Sequence, residues 1–72
     1  MAAPISLLDV VALTEDVPAK NLLRGQVGTI VEVLAPQVYE VEFCDDEGRT
    51  YTTTALSAPQ LLVLHYRPQI AA

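Results

Sequence analysis

Few side chains in this 72-residue chain are equipped for chemistry, and they are widely spaced. Cys44 is the lone cysteine and His65 the lone histidine. A thiol attacks as its thiolate, which needs a base or a positive field beside it. Cys44 and His65 end different segments, and no third group stands by to orient them. They read as an inert thiol and a strand-end imidazole, and they are too few to complete a zinc ligand set. Asp45, Asp46 and Glu47 form the one run of charge. A calcium loop needs oxygen ligands at alternating positions over about twelve residues, a pattern missing here. The run is expected to be a solvated hairpin tip, with Asp45 near Arg49 across the loop. Gly25 and Gly28 lead into β-formers and lack the Lys-Ser/Thr of a phosphate loop. No catalytic residue, metal ligand or cofactor site is therefore expected.

What remains is recognition chemistry. Glu32, Glu40 and Glu42 fall at alternating positions of two neighbouring β segments and are expected to share one outward face. Such a face suits docking to a basic patch on another protein, where charge contributes mainly on-rate and specificity. The apolar segments 7–13 and 60–65 are greasy on both faces. One face of each belongs to a core, and Leu7, Val11, Leu62 and Leu64 are candidates for a partner contact on the other. Val17, Leu22 and Leu23 of the intervening loop offer an alternative cover.

Composition points the same way. The net charge is −5, and the four cations (Lys20, Arg24, Arg49 and Arg67) are scattered. No basic stripe exists to neutralise phosphates, which argues against nucleic acid. Hydrophobic residues make up 51% of a chain too short to bury most of them well. One cysteine rules out an internal disulfide. A partner surface is expected instead: a second copy in a homo-oligomer, or another protein. No apolar run approaches the ~18 residues of a membrane span. The N-terminus lacks a basic region followed by an apolar core, so it is not read as a secretory signal. A lone thiol fits a reducing compartment, and the cytoplasm is expected.

The elements that must position these residues are all β. Strands are expected over 7–13, 26–34, 38–44, 49–54 and 60–65, with a long polar loop at 14–25. Turns are expected at 35–37 and 45–48, and a connector with one 3₁₀ turn at 55–59. The domain spans 5–65, with flexible tails at 1–4 and 66–72. Closing a hairpin at 35–37 sets Val33 against Tyr39, Val31 against Val41 and Thr29 against Phe43 on the inner face. Glu32 then meets Glu40, and Ile30 meets Glu42, on the outer one. A three-residue loop at 46–48 places Gly48 in the left-handed region and sets Phe43 against Tyr51 and Val41 against Thr53. Gly25 is expected at positive φ, and Gly28 at a bulge or a close strand approach. Tyr39, Phe43 and Tyr51 point inward as core, although Glu15 and Asp16 in the long loop would suit an SH3-type peptide groove. Five short antiparallel strands, a long first loop and tight later hairpins describe a small all-β, SH3-like barrel.

The stretch "RGQVGTIVEV" (24–33) resembles the G-x-x-G-x-V pattern of KOW modules and of the barrel domain of nitrile hydratase β subunits. A more extensive likeness runs through "LLDVVALTEDVP", "LLRGQVGTIVEV", "YEVEF" followed by "GRT", and "QLLVL". Over residues 7–64 the chain resembles small bacterial, largely cyanobacterial, SH3-like proteins of the domain of unknown function 4926 family. That resemblance implies a stand-alone SH3-like protein acting as partner to the product of a neighbouring gene. It brings no established activity or functional residues. The expected function is a non-enzymatic protein-interaction module; the alternative is a KOW-like nucleic-acid or ribonucleoprotein accessory protein.

Overall fold

The computed structural model describes residues 4–71. Five strands form one antiparallel sheet: β1 (Val10–Leu13), β2 (Val27–Ala35), β3 (Val38–Cys44), β4 (Thr50–Ser57) and β5 (Leu61–Val63). Their spatial order is β4-β3-β2-β1-β5. A 3₁₀ turn, η1 (Pro18–Lys20), sits in the long first loop, and another, η2 (Ala58–Gln60), links β4 to β5. The class is the all-β, small SH3-like fold expected. Hydrogen bonds do not close the sheet into a barrel, so β4 and β5 are its edges.

Alternation in β3 organises the sheet. Tyr39, Val41 and Phe43 are buried, and Val38, Glu40 and Glu42, which alternate with them, are half-buried on the other face. The inner face is completed by Val11, Leu13, Leu22, Ile30, Leu56 and Leu61. No polar or charged side chain is buried among the described residues. The core therefore rests on apolar burial, at roughly 1.5–3 kcal/mol for each large side chain taken out of water.

The turns form as their residues dictate. The backbone N–H of Gly48 donates to the carbonyl of Asp45 (3.0 Å), and Gly48 adopts φ 80. Asp45 Oδ1 accepts from the N–H groups of Glu47 (2.9 Å) and Arg49 (3.0 Å), while its Oδ2 meets Arg49 Nε at 3.1 Å. The expected proximity of Asp45 to Arg49 is thus present. At the other hairpin Pro36 fixes the first turn position and Gln37 adopts φ 61. Gly25 has φ 92, as expected where the long loop turns back.

Register departs from expectation in two places. Ile30, not Val31, lies opposite Val41, and Gly28, not Thr29, lies opposite Phe43. Val31 is taken up by a bulge between Ile30 and Glu32, which returns Glu32 to its expected place opposite Glu40. Val31 is 37% exposed, whereas Ile30 and Val41 are 0%. The physical reason lies at Gly28. A Cβ there would come within 2.7 Å of Val41 Cγ1 and 3.0 Å of Phe43 Cε2. Only glycine leaves room for the Phe43 ring, so Thr29 is turned outward. The close approach expected at Gly28 is present.

In the second hairpin Phe43 pairs with Thr52 and Val41 with Thr54, because Tyr51 is bulged out between Thr50 and Thr52. Tyr51 is 47% exposed rather than core. Its ring still lies 6.5 Å from that of Phe43, and its hydroxyl accepts from the Gln26 side-chain amide (2.8 Å). The bulge keeps the aromatic contact while leaving the polar end wet.

Strand ends differ as well. β1 starts at Val10 because Leu8 sits at φ 70 and residues 7–8 turn. Asp9 Oδ2 accepts from the Ser6 N–H (2.8 Å) across this turn. β4 runs on to Ser57, through the first half of the connector expected at 55–59, and the 3₁₀ turn follows at Ala58–Gln60. Of the tail expected at 1–4, residues 1–3 lie outside the described residues, while Pro4 borders a hollow beside β5. Residues 66–71 are exposed and form no strand.

Candidate functional site

The outer face of the sheet is read off its pairings, row by row. Leu62 of β5 lies opposite Ala12 of β1, which lies opposite Val27 of β2. In the next row the N–H of Leu64 donates to the carbonyl of Val10 (2.9 Å), and Val10 lies opposite Thr29, then Glu42, then Thr53. The third row runs Glu32, Glu40, Ala55. One face therefore carries an apolar half on β5, β1 and the start of β2, and an acidic half on β2 and β3. Thr29 is the seam between them.

Sequence reasoning named part of this surface. Glu32, Glu40 and Glu42 do share the outer face, with Glu32 exposed and the other two half-buried. Leu62 is 58% exposed and Leu64 half-buried. Leu7 is 55% exposed but sits in the turn before β1. Val11 is a correction: it is fully buried, because it lies opposite Gly28 and Val63 on the core side. Its neighbours Val10 and Ala12 take the outer positions instead. These two and Val27 were missed, and pairing against Gly28 is the signal that fixes their parity. Leu22 of the long loop is buried in the core, but Leu23 is 64% exposed. The loop thus caps the inner face and leaves the outer one open.

Electrostatics on the acidic half are unrelieved. Both ion pairs among the described residues belong to Arg49, with Asp45 (3.1 Å) and Glu47 (3.4 Å), at the hairpin tip. Glu32 directly opposite Glu40 repels by a few tenths of a kcal/mol. Asp16, offered by the sequence as part of an acidic peptide groove, accepts the backbone N–H of Arg24 (2.8 Å) within its own loop. Arg24 also borders a shallow hollow with Ala12 and Leu62, at the end of the outer face away from the glutamates.

The remaining chemistry is dispersed. Cys44 is an exposed free thiol, with Glu42 Oε1 and Thr50 Oγ1 each 3.6 Å from its sulfur. His65 borders a largely apolar hollow of about 550 Å³ with Pro4, Ile5, Tyr39, Pro59 and Leu61. Tyr39 and Cys44 lie toward opposite ends of β3, on the order of 15 Å apart at strand rise. The thiol and the imidazole are not brought together. The Asp45 carboxyl is held below its ordinary range, first by the backbone N–H of Arg49 and further by the N–H of Glu47 and the Arg49 guanidinium. Among the described residues no three His, Cys, Asp or Glu side chains are grouped to hold a metal. Among the described residues no helix is long and apolar enough to cross a membrane.

No curated protein and no solved structure matches the chain. A family does. The model of the Domain of unknown function (DUF4926) covers residues 7–63, from the turn before β1 to the end of β5, and the chain belongs to that family.

Proposed function

We propose that this protein is a non-enzymatic interaction module that docks a protein partner on the outer face of its sheet. The observation that supports this reading is the division of that face. Leu62, Ala12, Val27, Val10 and Leu64 form a contiguous apolar half, adjoining Glu32, Glu40 and Glu42, which make no ion pair among the described residues. The fold has no use for either half: the core lies on the other side, and the glutamate pair works against stability. A surface of this composition fits a partner with an apolar centre and basic side chains on one flank. The charge that suits it to such a partner counts against the alternative of a KOW-like nucleic-acid accessory. We take the cytoplasm as its compartment, where an exposed lone thiol such as Cys44 stays reduced.

The test is capture from lysate by the wild-type protein and by a Glu32→Lys/Glu40→Lys variant, with mass spectrometry of what is retained. The reading predicts a protein held by the wild type and lost from the variant, with more rapid loss from the wild type at high salt. If every retained protein binds both forms equally, the reading fails.

A further inference from the structure

Among the described residues the sheet has three stretches of unpaired strand edge, and two of them are blunted. β5 is three residues long. The half of β2 beyond its pairing with β1 carries Glu32, is bent by register shifts at Val31 and Leu34, and ends at Pro36. Charge, bulges, proline and brevity are the means by which natural edges avoid pairing with other chains. β4 has few of them. It runs eight residues, Thr50–Ser57, on the order of 25 Å, with no charged residue and no proline. Its single irregularity is the bulge at Tyr51, near its start. Threonine at 50 and at 52–54, with Tyr51 among them, is strand-forming composition. Among the described residues β3 is its only strand neighbour.

We infer that β4 pairs edge to edge with β4 of a second copy, antiparallel about a two-fold axis, joining two five-stranded sheets into one. The unpaired backbone N–H and C=O groups of an edge are satisfied by another extended chain, which defines the class of occupant. Self-pairing is favoured over a foreign peptide because a two-fold axis brings each residue type against its own neighbourhood. That is costly for a charged strand and free of repulsion for this one. An axis perpendicular to the sheet also leaves both outer faces on the same side. The dimer would present two docking faces together, a consequence that rests on the function proposed above.

Thr53 is exposed at the middle of β4 on the outer face. Whether the axis passes through Thr53 or Thr54, the two copies of residue 53 stand opposite or about 7–8 Å apart on the diagonal. The experiment is light scattering on size-exclusion eluates of wild type, Thr53→Lys, Thr53→Glu and an equimolar mixture of the two variants. Urea midpoints confirm that each is folded. The wild type is expected at twice the 7.8 kDa chain mass, each variant at the single mass, and the mixture back at the double mass. A wild type that stays at the single mass at hundreds of micromolar overturns the inference. So does a variant that keeps the double mass, or a mixture that remains monomeric. The Glu32→Lys/Glu40→Lys variant is expected to keep the double mass while losing the captured partner, so the two proposals fail separately.

Discussion

The two faces of this sheet come from the same strands by simple alternation, yet they are built to different standards. The inner face is closed: Val11, Ile30, Val41 and Phe43 are inaccessible to solvent, and Gly28 is pared back to make room for its neighbours. The outer face is unfinished by the same measure. Its apolar side chains stay partly wet, and Glu32 and Glu40 face each other without a cation. The contrast teaches where selection for folding stops. A chain this short needs one well-packed layer, and the opposite layer is free to serve something outside the molecule.

Substitutions sharpen that contrast, beginning inside. Phe43→Ala should cost about 3–5 kcal/mol in urea denaturation, because a fully buried ring leaves a cavity. Gly28→Ala should cost about 1–3 kcal/mol despite adding one methyl group. The new Cβ meets Val41 Cγ1 at 2.7 Å and the Glu42 carbonyl at 3.0 Å, and backbone does not yield easily. Val41→Ala should cost ~1–3 kcal/mol, whereas Val31→Ala should stay within about 0.5 kcal/mol. Equal losses at the two valines would show that the bulge at Val31 does not form.

That pair of valines also marks how far the sequence could be read. The alternation of β3, the positive φ at Gly25 and Gly48, the tip joining Asp45 to Arg49 and the pairing of Glu32 with Glu40 were all legible. Each follows from a local pattern or from turn chemistry. The bulges at Val31 and Tyr51 were not. Ile30 and Val31 are both apolar and β-branched, so alternation alone accepts either as the inward residue. The choice is made across the sheet, by the space Phe43 needs above Gly28, and no local window contains both residues. The same slip of one position put Val11 on the candidate surface in place of Val10 and Ala12. The glutamates of the candidate site were visible because charge declares its face, and its apolar half was visible only as excess hydrophobicity.

Smaller effects are expected outside. Glu40→Lys should stabilise by a few tenths of a kcal/mol, since it turns a repulsive cross-strand pair into an attractive one. A loss above about 1 kcal/mol would mean that Glu40 has a structural duty. The smallest effect concerns the hairpin tip. The Asp45 carboxyl is held below its ordinary value of 3.8, so its contribution is fully present above that pH. It is lost as pH falls through the lowered value. Amide exchange at Gly48 and Arg49 should accelerate, relative to the core, only below about pH 4, and Asp45→Asn should abolish that added pH dependence.

The division of labour between the faces is tested most directly by binding of the captured partner to Leu62→Asp, alongside the urea midpoint of the same variant. Leu62 is 58% exposed and lies across from Ala12, on the β5 side of the apolar half. Affinity should fall at least tenfold while the variant unfolds within about 1 kcal/mol of wild type. Unchanged affinity in a folded Leu62→Asp protein would contradict the account.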